Sequence, residues 1–121
     1  MAYKDGSEVY FAKKKVRKNA KTAWIKIGET ANSVRRGRQL RREDFDIVIV
    51  RDVPMNDKNG HNQKLRRMAV ENYLREKILQ EFSPKRRKGN DYFSLPVEEA
   101  VRFEANFEGY VQECLILKNY I

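Results

Sequence analysis

The chain has 121 residues, a formal net charge of +9 from 26 Lys and Arg against 17 Asp and Glu, and an aromatic content of 11%. That aromatic content argues against a disordered tail. No apolar run approaches the roughly 20 residues that a membrane-spanning helix needs. The single cysteine, Cys114, excludes an internal disulfide. The charge favours a polyanionic partner, most simply nucleic acid. No signal peptide is recognisable in Met1–Ser7, so we expect a cytoplasmic protein with no membrane partner.

The first part of the chain has the alternation of two strands. Glu8–Ala12 and Thr22–Gly28 are joined by the basic linker Lys13–Lys21, and we expect the two strands to pair antiparallel. One face of the pair is then apolar and consists of Val9, Phe11, Ile25 and Ile27. The other face groups Tyr10, Trp24 and Lys26.

A helix, a strand and a second helix follow. Asn32–Arg42 is a short basic helix with an N-cap residue at Asn32 or Ser33. Phe45–Val53 is the strongest strand, and its continuous apolar run predicts a central strand covered on both faces. Gln63–Phe82 has apolar residues at helical spacing and forms a long helix.

The last part of the chain begins with the basic loop Lys85–Lys88, followed by Tyr92–Leu95 as a short strand or extended segment. A final helix covers about residues 97–118 and carries Cys114 on its apolar face, as a core residue and not as a nucleophile. The element order predicts one α+β domain.

The segment between the second strand and the first helix is a candidate anion site. The strand ends at Gly28, and Arg35 and Arg36 lie in the first turn of the helix. A helix N-terminus attracts anions through its unpaired N–H groups and its dipole, so phosphate would be the favoured occupant. A solvated basic turn is the alternative.

Glu71 is the most informative acid of the sequence. It lies in line with Leu74, Ile78 and Phe82 on the long helix, so its carboxylate should be partly desolvated unless an arginine or a hard cation such as Mg²⁺ pairs with it. The alternative is an ordinary surface glutamate. The only histidine, His61, lies in a polar loop and cannot form a zinc cluster alone.

These features occur in a recognisable order. Glu8-Val9-Tyr10 lies on the first strand, Lys26-Ile27-Gly28 ends the second, and Arg36 follows eight residues after that glycine. Glu71 lies in the helical segment AVENYLREKI, and Gly89–Phe93 (GNDYF) comes later. The set resembles the GIY-YIG endonuclease superfamily, and more closely its phage and fungal-type branch, in which the second motif is Lys-Ile-Gly and a Gly-x-Glu-Trp-Phe signature follows the helix. The resemblance covers about residues 8 to 95.

The resemblance implies a single domain over residues 1–121, with a small, mostly antiparallel three-stranded central sheet flanked by helices and an extra C-terminal helix. It implies hydrolysis of phosphodiester bonds in DNA with one divalent ion, Mg²⁺ or Mn²⁺. Tyr10 would help to activate the attacking water, Arg36 would stabilise charge in the transition state, and Glu71 would hold the ion. On physical grounds, Lys26 beside Tyr10 would favour the phenolate or bind the phosphate directly.

The chain departs from the family pattern at several positions. Glu8 and Val9 replace the Gly and Ile of the first motif, and Leu40 and Arg75 stand where members often carry His or Tyr. Asp91 replaces the Glu of the late signature. Two alternatives therefore stay open: an inactive nucleic-acid-binding module on the same fold, and a basic phage or ribosome-associated interaction protein of unrelated fold.

Six further basic residues are candidate phosphate contacts, which would position nucleic acid without reading its sequence. They are Arg35, Arg38, Lys85, Arg86, Arg87 and Lys88. A nuclease of this size has little surface for specificity, so a homodimer or a partner domain would be a reasonable addition.

Overall fold

The computed structural model describes residues 7–54 and 63–120. Within them the chain forms an α+β domain with the elements β1 (Glu8–Lys14), β2 (Thr22–Thr30), α1 (Ser33–Arg41), β3 (Phe45–Asp52), α2 (Gln63–Glu81), β4 (Arg86–Lys88), β5 (Tyr92–Pro96) and α3 (Val97–Leu117). The predicted α+β class is confirmed. His61 and most of the predicted polar loop lie outside the described residues.

The strands form one antiparallel sheet of five strands in the order β3-β1-β2-β5-β4. The predicted three-stranded sheet was therefore wrong in its number of strands. β5 adds to the free edge of β2, and Lys85–Lys88, predicted as a loop, contributes β4 at the outer edge. The additional pairing satisfies backbone N–H and C=O groups that an exposed edge of β2 would leave unpaired.

The position predicted for Phe45–Val53 was also wrong, because β3 lies at the edge of the sheet and not at its centre. Its side chains alternate between buried or half-buried and exposed positions. Val48 and Val50 are 43% and 39% exposed. An apolar run predicts burial on both faces only when a layer covers each face fully, and the exposure of Val48 and Val50 shows that β3 is not covered in this way.

The predicted pairing of the first two strands is confirmed. β1 and β2 are antiparallel, with Phe11 opposite Ile27 and Tyr10 opposite Gly28. One face of the pair packs against α2 and α3 and holds the main core. Its largest fully buried members are Phe11, Ile25, Ile27, Leu74, Ile78, Phe93, Leu95, Phe103, Phe107 and Leu115.

The opposite face of the sheet carries a smaller cluster beneath α1. Tyr10, Ala12, Leu40 and Phe45 are buried there. Trp24 and Tyr92 pack against this cluster and are only half-buried. The face over β2 and β5 is therefore partly open, in contrast to the face beneath α2 and α3.

The helices α2 and α3 end within one residue of their predicted limits. Several apolar residues of these helices are exposed, among them Leu65, Met68 and Val101. Gly109 does not interrupt α3, and Cys114 is buried in the core as predicted. None of the described helices is long and apolar enough to cross a membrane.

Candidate active site

Tyr10 lies across the backbone of Gly28. The β1–β2 register places the two residues opposite each other. A Cβ atom added at Gly28 would lie 2.3 Å from both Cζ and Oη of Tyr10, so only glycine leaves room for this ring. Tyr10 is 1% exposed. The glycine of the Lys-Ile-Gly sequence thus allows the tyrosine of the first strand to take its position.

Lys26 joins Tyr10 to a carboxylate distant in sequence. Its Nζ donates to Asp91 Oδ2 at 2.7 Å, and the two side chains are 7% and 31% exposed. The same nitrogen lies 5.4 Å from the ring centroid of Tyr10 and 4.9 Å from that of Tyr92. Asp91, which the sequence associates only with a family position, is thus the partner of Lys26.

Burial raises the pKa of Tyr10 above its ordinary value. The charge of Lys26, its hydrogen bonding and the charge of Arg36 act in the opposite direction and do not outweigh burial. The expected effect of Lys26 on the phenolate is therefore present but is the smaller one, and Tyr10 remains a phenol at neutral pH. Burial also opposes the charge of Lys26, but Tyr10 and Asp91 together raise the pKa of Lys26 and keep it an ammonium.

The last part of β2 has no partner in β5, and we call this unpaired edge the gap at the end of β5; α2 lies beside it, close to Lys26 and Asp91. The β5 ladder runs as far as Tyr92 opposite Lys26, with one further bond from the Ile27 N–H to the Asp91 carbonyl at 3.1 Å. The rest of β2 extends beyond β5. Arg67 of α2 reaches this free part of β2 and donates from Nε to Glu29 Oε2 at 2.7 Å.

Glu71 lies on the same side of α2 and is paired with Arg75, whose Nη2 is 2.8 Å from Glu71 Oε1. Arg75 also donates from Nε to the Asn90 carbonyl at 2.6 Å. The Glu71 side chain is 17% exposed, so the interpretation as an ordinary surface glutamate was wrong. Burial raises the pKa of Glu71, Asp91 adds to this effect, and the charges of Arg75 and Lys26 oppose it.

The N-terminus of α1 differs from the predicted anion site. The Ser33 N–H donates to Glu8 Oε1 at 3.2 Å, and the Arg35 N–H donates to Asn32 Oδ1 at 3.0 Å. The protein's own oxygens therefore use these two donors, which leaves fewer N–H groups at this helix end for an anion than the sequence suggests. The side chain of Arg36 is the cation that this helix contributes, half-buried, and its charge opposes part of the rise in the Tyr10 pKa.

Four residues from separate elements, all candidate site residues on the sequence alone, are thus linked by contact or by charge. Tyr10, Lys26 and Arg36 come from β1, β2 and α1, and Glu71 joins them through its charge interactions with Lys26 and Asp91. No family model, curated protein or solved structure matches this chain. What the residues can do is therefore argued from their geometry.

The predicted phosphate contacts do not form one surface. Arg35 and Arg38 are exposed on α1, which packs over β3 at one edge of the sheet. Lys85–Lys88 is exposed at the opposite edge, where β4 lies. Of this second group, Lys88 approaches the site most closely, because its Nζ lies 5.8 Å from the Tyr92 ring centroid.

Glu71 is the residue that could hold a divalent ion. Mg²⁺ is commonly bound by one or two carboxylates, with water and substrate phosphate completing its shell. One oxygen of Glu71 bonds Arg75, and Asp91 is a second carboxylate within electrostatic range. Residues 7–54 and 63–120 contain no group of three His, Cys, Asp or Glu side chains that could hold a metal by themselves. The residues fit an ion shared with a substrate phosphate.

Proposed function

We propose that the protein is a divalent-metal-dependent endonuclease that hydrolyses phosphodiester bonds in DNA. The observation that supports this most is that Tyr10, Lys26, Arg36 and Glu71, from four elements, are linked near the end of β5, Lys26 to Tyr10 by contact and Arg36 and Glu71 through their charges. Two cations and a partly desolvated carboxylate in one place suit a phosphodiester, which carries one negative charge and gains more in the transition state. The net charge of +9 favours the same class of partner.

Each side chain has a separate task in this proposal. Arg36 and Lys26 bind the phosphate oxygens, and Asp91 holds the Lys26 ammonium in place. Tyr10 keeps its proton on Oη, because burial raises its pKa. Glu71 would hold Mg²⁺ or Mn²⁺, which supplies positive charge at the phosphate and the leaving oxygen when bound.

A binding module without catalysis is the second candidate. The observation in its favour is that the three carboxylates around the gap each have a cationic partner: Glu71 with Arg75, Asp91 with Lys26, and Glu29 with Arg67. A network whose charges already balance can hold the fold and bind a backbone without recruiting an ion. The two functions differ in one measurable property, metal-dependent cleavage.

Nicking of supercoiled plasmid tests the proposal. The wild-type protein should convert it to the open circle with Mg²⁺ or Mn²⁺ and not with EDTA. Glu71→Ala and Arg36→Ala should abolish nicking while circular dichroism stays unchanged, because neither residue belongs to the apolar core. Glu76→Ala on the exposed face of α2 and Arg42→Ala after α1 remove the same charges and should nick normally.

Three results would count against the proposal. Nicking by Glu71→Ala at the wild-type rate would refute the assignment of Glu71 to the metal. A salt-sensitive gel shift without cleavage in either metal would instead support the binding module. If the protein neither shifts nor cleaves DNA, a basic interaction protein becomes the better description.

A further inference from the structure

A second site lies beside the proposed catalytic group on the α1 side of the sheet. It is a cavity of about 440 Å³ whose lining includes Trp24, Phe45 and Tyr92. Phe45 is 5% exposed and meets Tyr92 edge-on, with 5.4 Å between ring centroids and an interplanar angle of 78°. Three aromatic side chains around one open cavity favour a flat, unsaturated ligand.

The three rings differ in what already covers them. Lys26 and Lys88 lie near the Tyr92 ring, and Lys14 Nζ lies 6.0 Å from the Phe45 centroid. Across residues 7–54 and 63–120, no second ring and no cation lies against the Trp24 indole. Trp24 is half-buried and lines the cavity, so its indole is the ring with a face open to a ligand.

The charges around the cavity indicate which part of a nucleotide would enter it. Glu43 and Asp44 belong to the lining, and their carboxylates would repel a phosphate inside. They can accept hydrogen bonds from the amino and ring N–H groups of a base. Lys14 and Lys88 also line the cavity and can hold the phosphates on either side of that base.

The cavity has two neighbours whose lining includes several cations, and Asp44 and Asp46 also line the larger of them. Two neighbouring cavities, of about 510 and 310 Å³, share Lys14 with the first. Lys15 and Arg17 line both of them, and Arg41 lines the larger. A strand that leaves the aromatic cavity therefore has further cations along its path.

The aromatic cavity also adjoins the proposed catalytic residues. Trp24 and Lys26 lie on the same face of β2, two residues apart, which is about 7 Å along a strand. Tyr92 belongs to both places, because it lines the cavity and its centroid is 4.9 Å from Lys26 Nζ. A nucleotide in the cavity would thus bring a neighbouring phosphate toward Lys26.

We propose that this cavity binds one unpaired base of a single-stranded DNA segment, stacked on Trp24, with the adjoining phosphates on Lys14 and Lys88. The inference rests on the proposed function, since it names the substrate that the nuclease site would receive. A base inside a duplex is stacked on both faces and paired along one edge, so it cannot enter the cavity. The substrate class is therefore DNA with unpaired nucleotides: single strands, flaps, frayed ends or the locally unpaired segments of a supercoiled plasmid.

The fluorescence of Trp24 tests this directly, because Trp24 is the only tryptophan. In EDTA, a single-stranded oligonucleotide should quench the emission in a saturable manner. A strand of the same length and phosphate count whose sugars carry no bases should leave the emission unchanged, as should a blunt duplex. Equal quenching by the base-free strand, or by the duplex, would overturn the proposal.

Variants provide a second readout, the anisotropy of a labelled single strand. Trp24→Ala should weaken binding by roughly 5- to 150-fold, the effect of removing one base-stacking ring. Trp24→Phe should retain most of the affinity, and Val101→Ala, exposed on the opposite side of the molecule, should retain all of it. Unchanged binding by Trp24→Ala would overturn the proposal.

These measurements are independent of cleavage. They use EDTA, and they can be repeated with Glu71→Ala. If quenching occurs without metal-dependent nicking, the base site is supported and the nuclease proposal fails. If nicking occurs without quenching, the reverse holds.

Discussion

The close approach of Tyr10 to Gly28 makes Gly28→Ala the most demanding test of the geometry. The new Cβ would meet Tyr10 Cζ and Oη at 2.3 Å and Cε2 at 2.6 Å. Carbon atoms in contact normally lie about 3.5–4.0 Å apart. The backbone at Gly28 lies outside the left-handed region, so alanine meets no conformational penalty and the contacts alone decide the result.

The size of the effect follows from how little room the ring has. To restore normal contact, the ring or the strand must move by at least about 1 Å, and Tyr10 is 1% exposed between two strands. Overpacking of this kind costs about 1–3 kcal/mol, and we expect the upper half of that range. For a chain of this length the melting temperature should fall by roughly 5–15 °C.

A double-mutant cycle isolates the contact. Leucine lacks the three atoms of Tyr10 that the new Cβ would meet, so in the Tyr10→Leu background Gly28→Ala should cost less than about 1 kcal/mol. Gly109→Ala is the matched control, because a Cβ there meets no atom within 4 Å. It lies in α3 and should stabilise the protein by about 1 kcal/mol.

Thermal and urea unfolding followed by circular dichroism measure all four variants. If Gly28→Ala has the same melting temperature as the wild-type protein, the ring of Tyr10 does not lie across Gly28. If the variant is destabilised equally in both backgrounds, the cost has another source. In either case the role of the Lys-Ile-Gly glycine in placing Tyr10 would have to be abandoned.

Three further predictions follow from polar contacts. Burial raises the pKa of Glu71, so the folded state holds this proton more tightly than the unfolded chain does, and the free energy of unfolding falls as the pH rises through the titration. The melting temperature of Glu71→Gln relative to wild type should therefore increase from about pH 4 to about pH 7. A difference in melting temperature that stays constant or shrinks over this range would contradict the prediction. Asp91→Asn leaves the buried Lys26 ammonium without its carboxylate and should lower the free energy of unfolding in urea by about 1–3 kcal/mol, whereas the exposed Asp46→Asn should have little effect. Asn32→Ala removes the side-chain cap of α1 and should cost about 1 kcal/mol in the same assay, whereas Asn32→Asp keeps a side-chain oxygen at the cap and should cost little. Equal costs for the two variants would show that the cap bond is not the stabilising contact.

The local features of the fold were accessible from the sequence. The alternation in β1 and β2 predicted that Tyr10, Trp24 and Lys26 share a face, and this is what the register shows. The limits of α2 and α3 were predicted from helical spacing and chain breakers. These features depend on neighbours within one turn or one strand, so the sequence contains the information that determines them.

The arrangement of the strands was not accessible in the same way. The apolar run in β3 is equally compatible with a central and an edge position, and only the pairing of β5 with the other side of β2 decides between them. β4 consists of three basic residues without a strand pattern, and it exists because β5 offers an edge to pair with.

In the candidate site, too, some features were accessible from the sequence and others only from the tertiary structure. Tyr10, Lys26, Arg36 and Glu71 could be selected by residue type and spacing. Asp91 as the partner of Lys26 could not, because the two are separated by 65 residues and meet only where β5 ends. The protonation of Tyr10 was also decided by tertiary structure. The sequence supplied the cation that lowers its pKa, but burial under Gly28 and between the strands raises it by more, and burial is a property of the packed molecule.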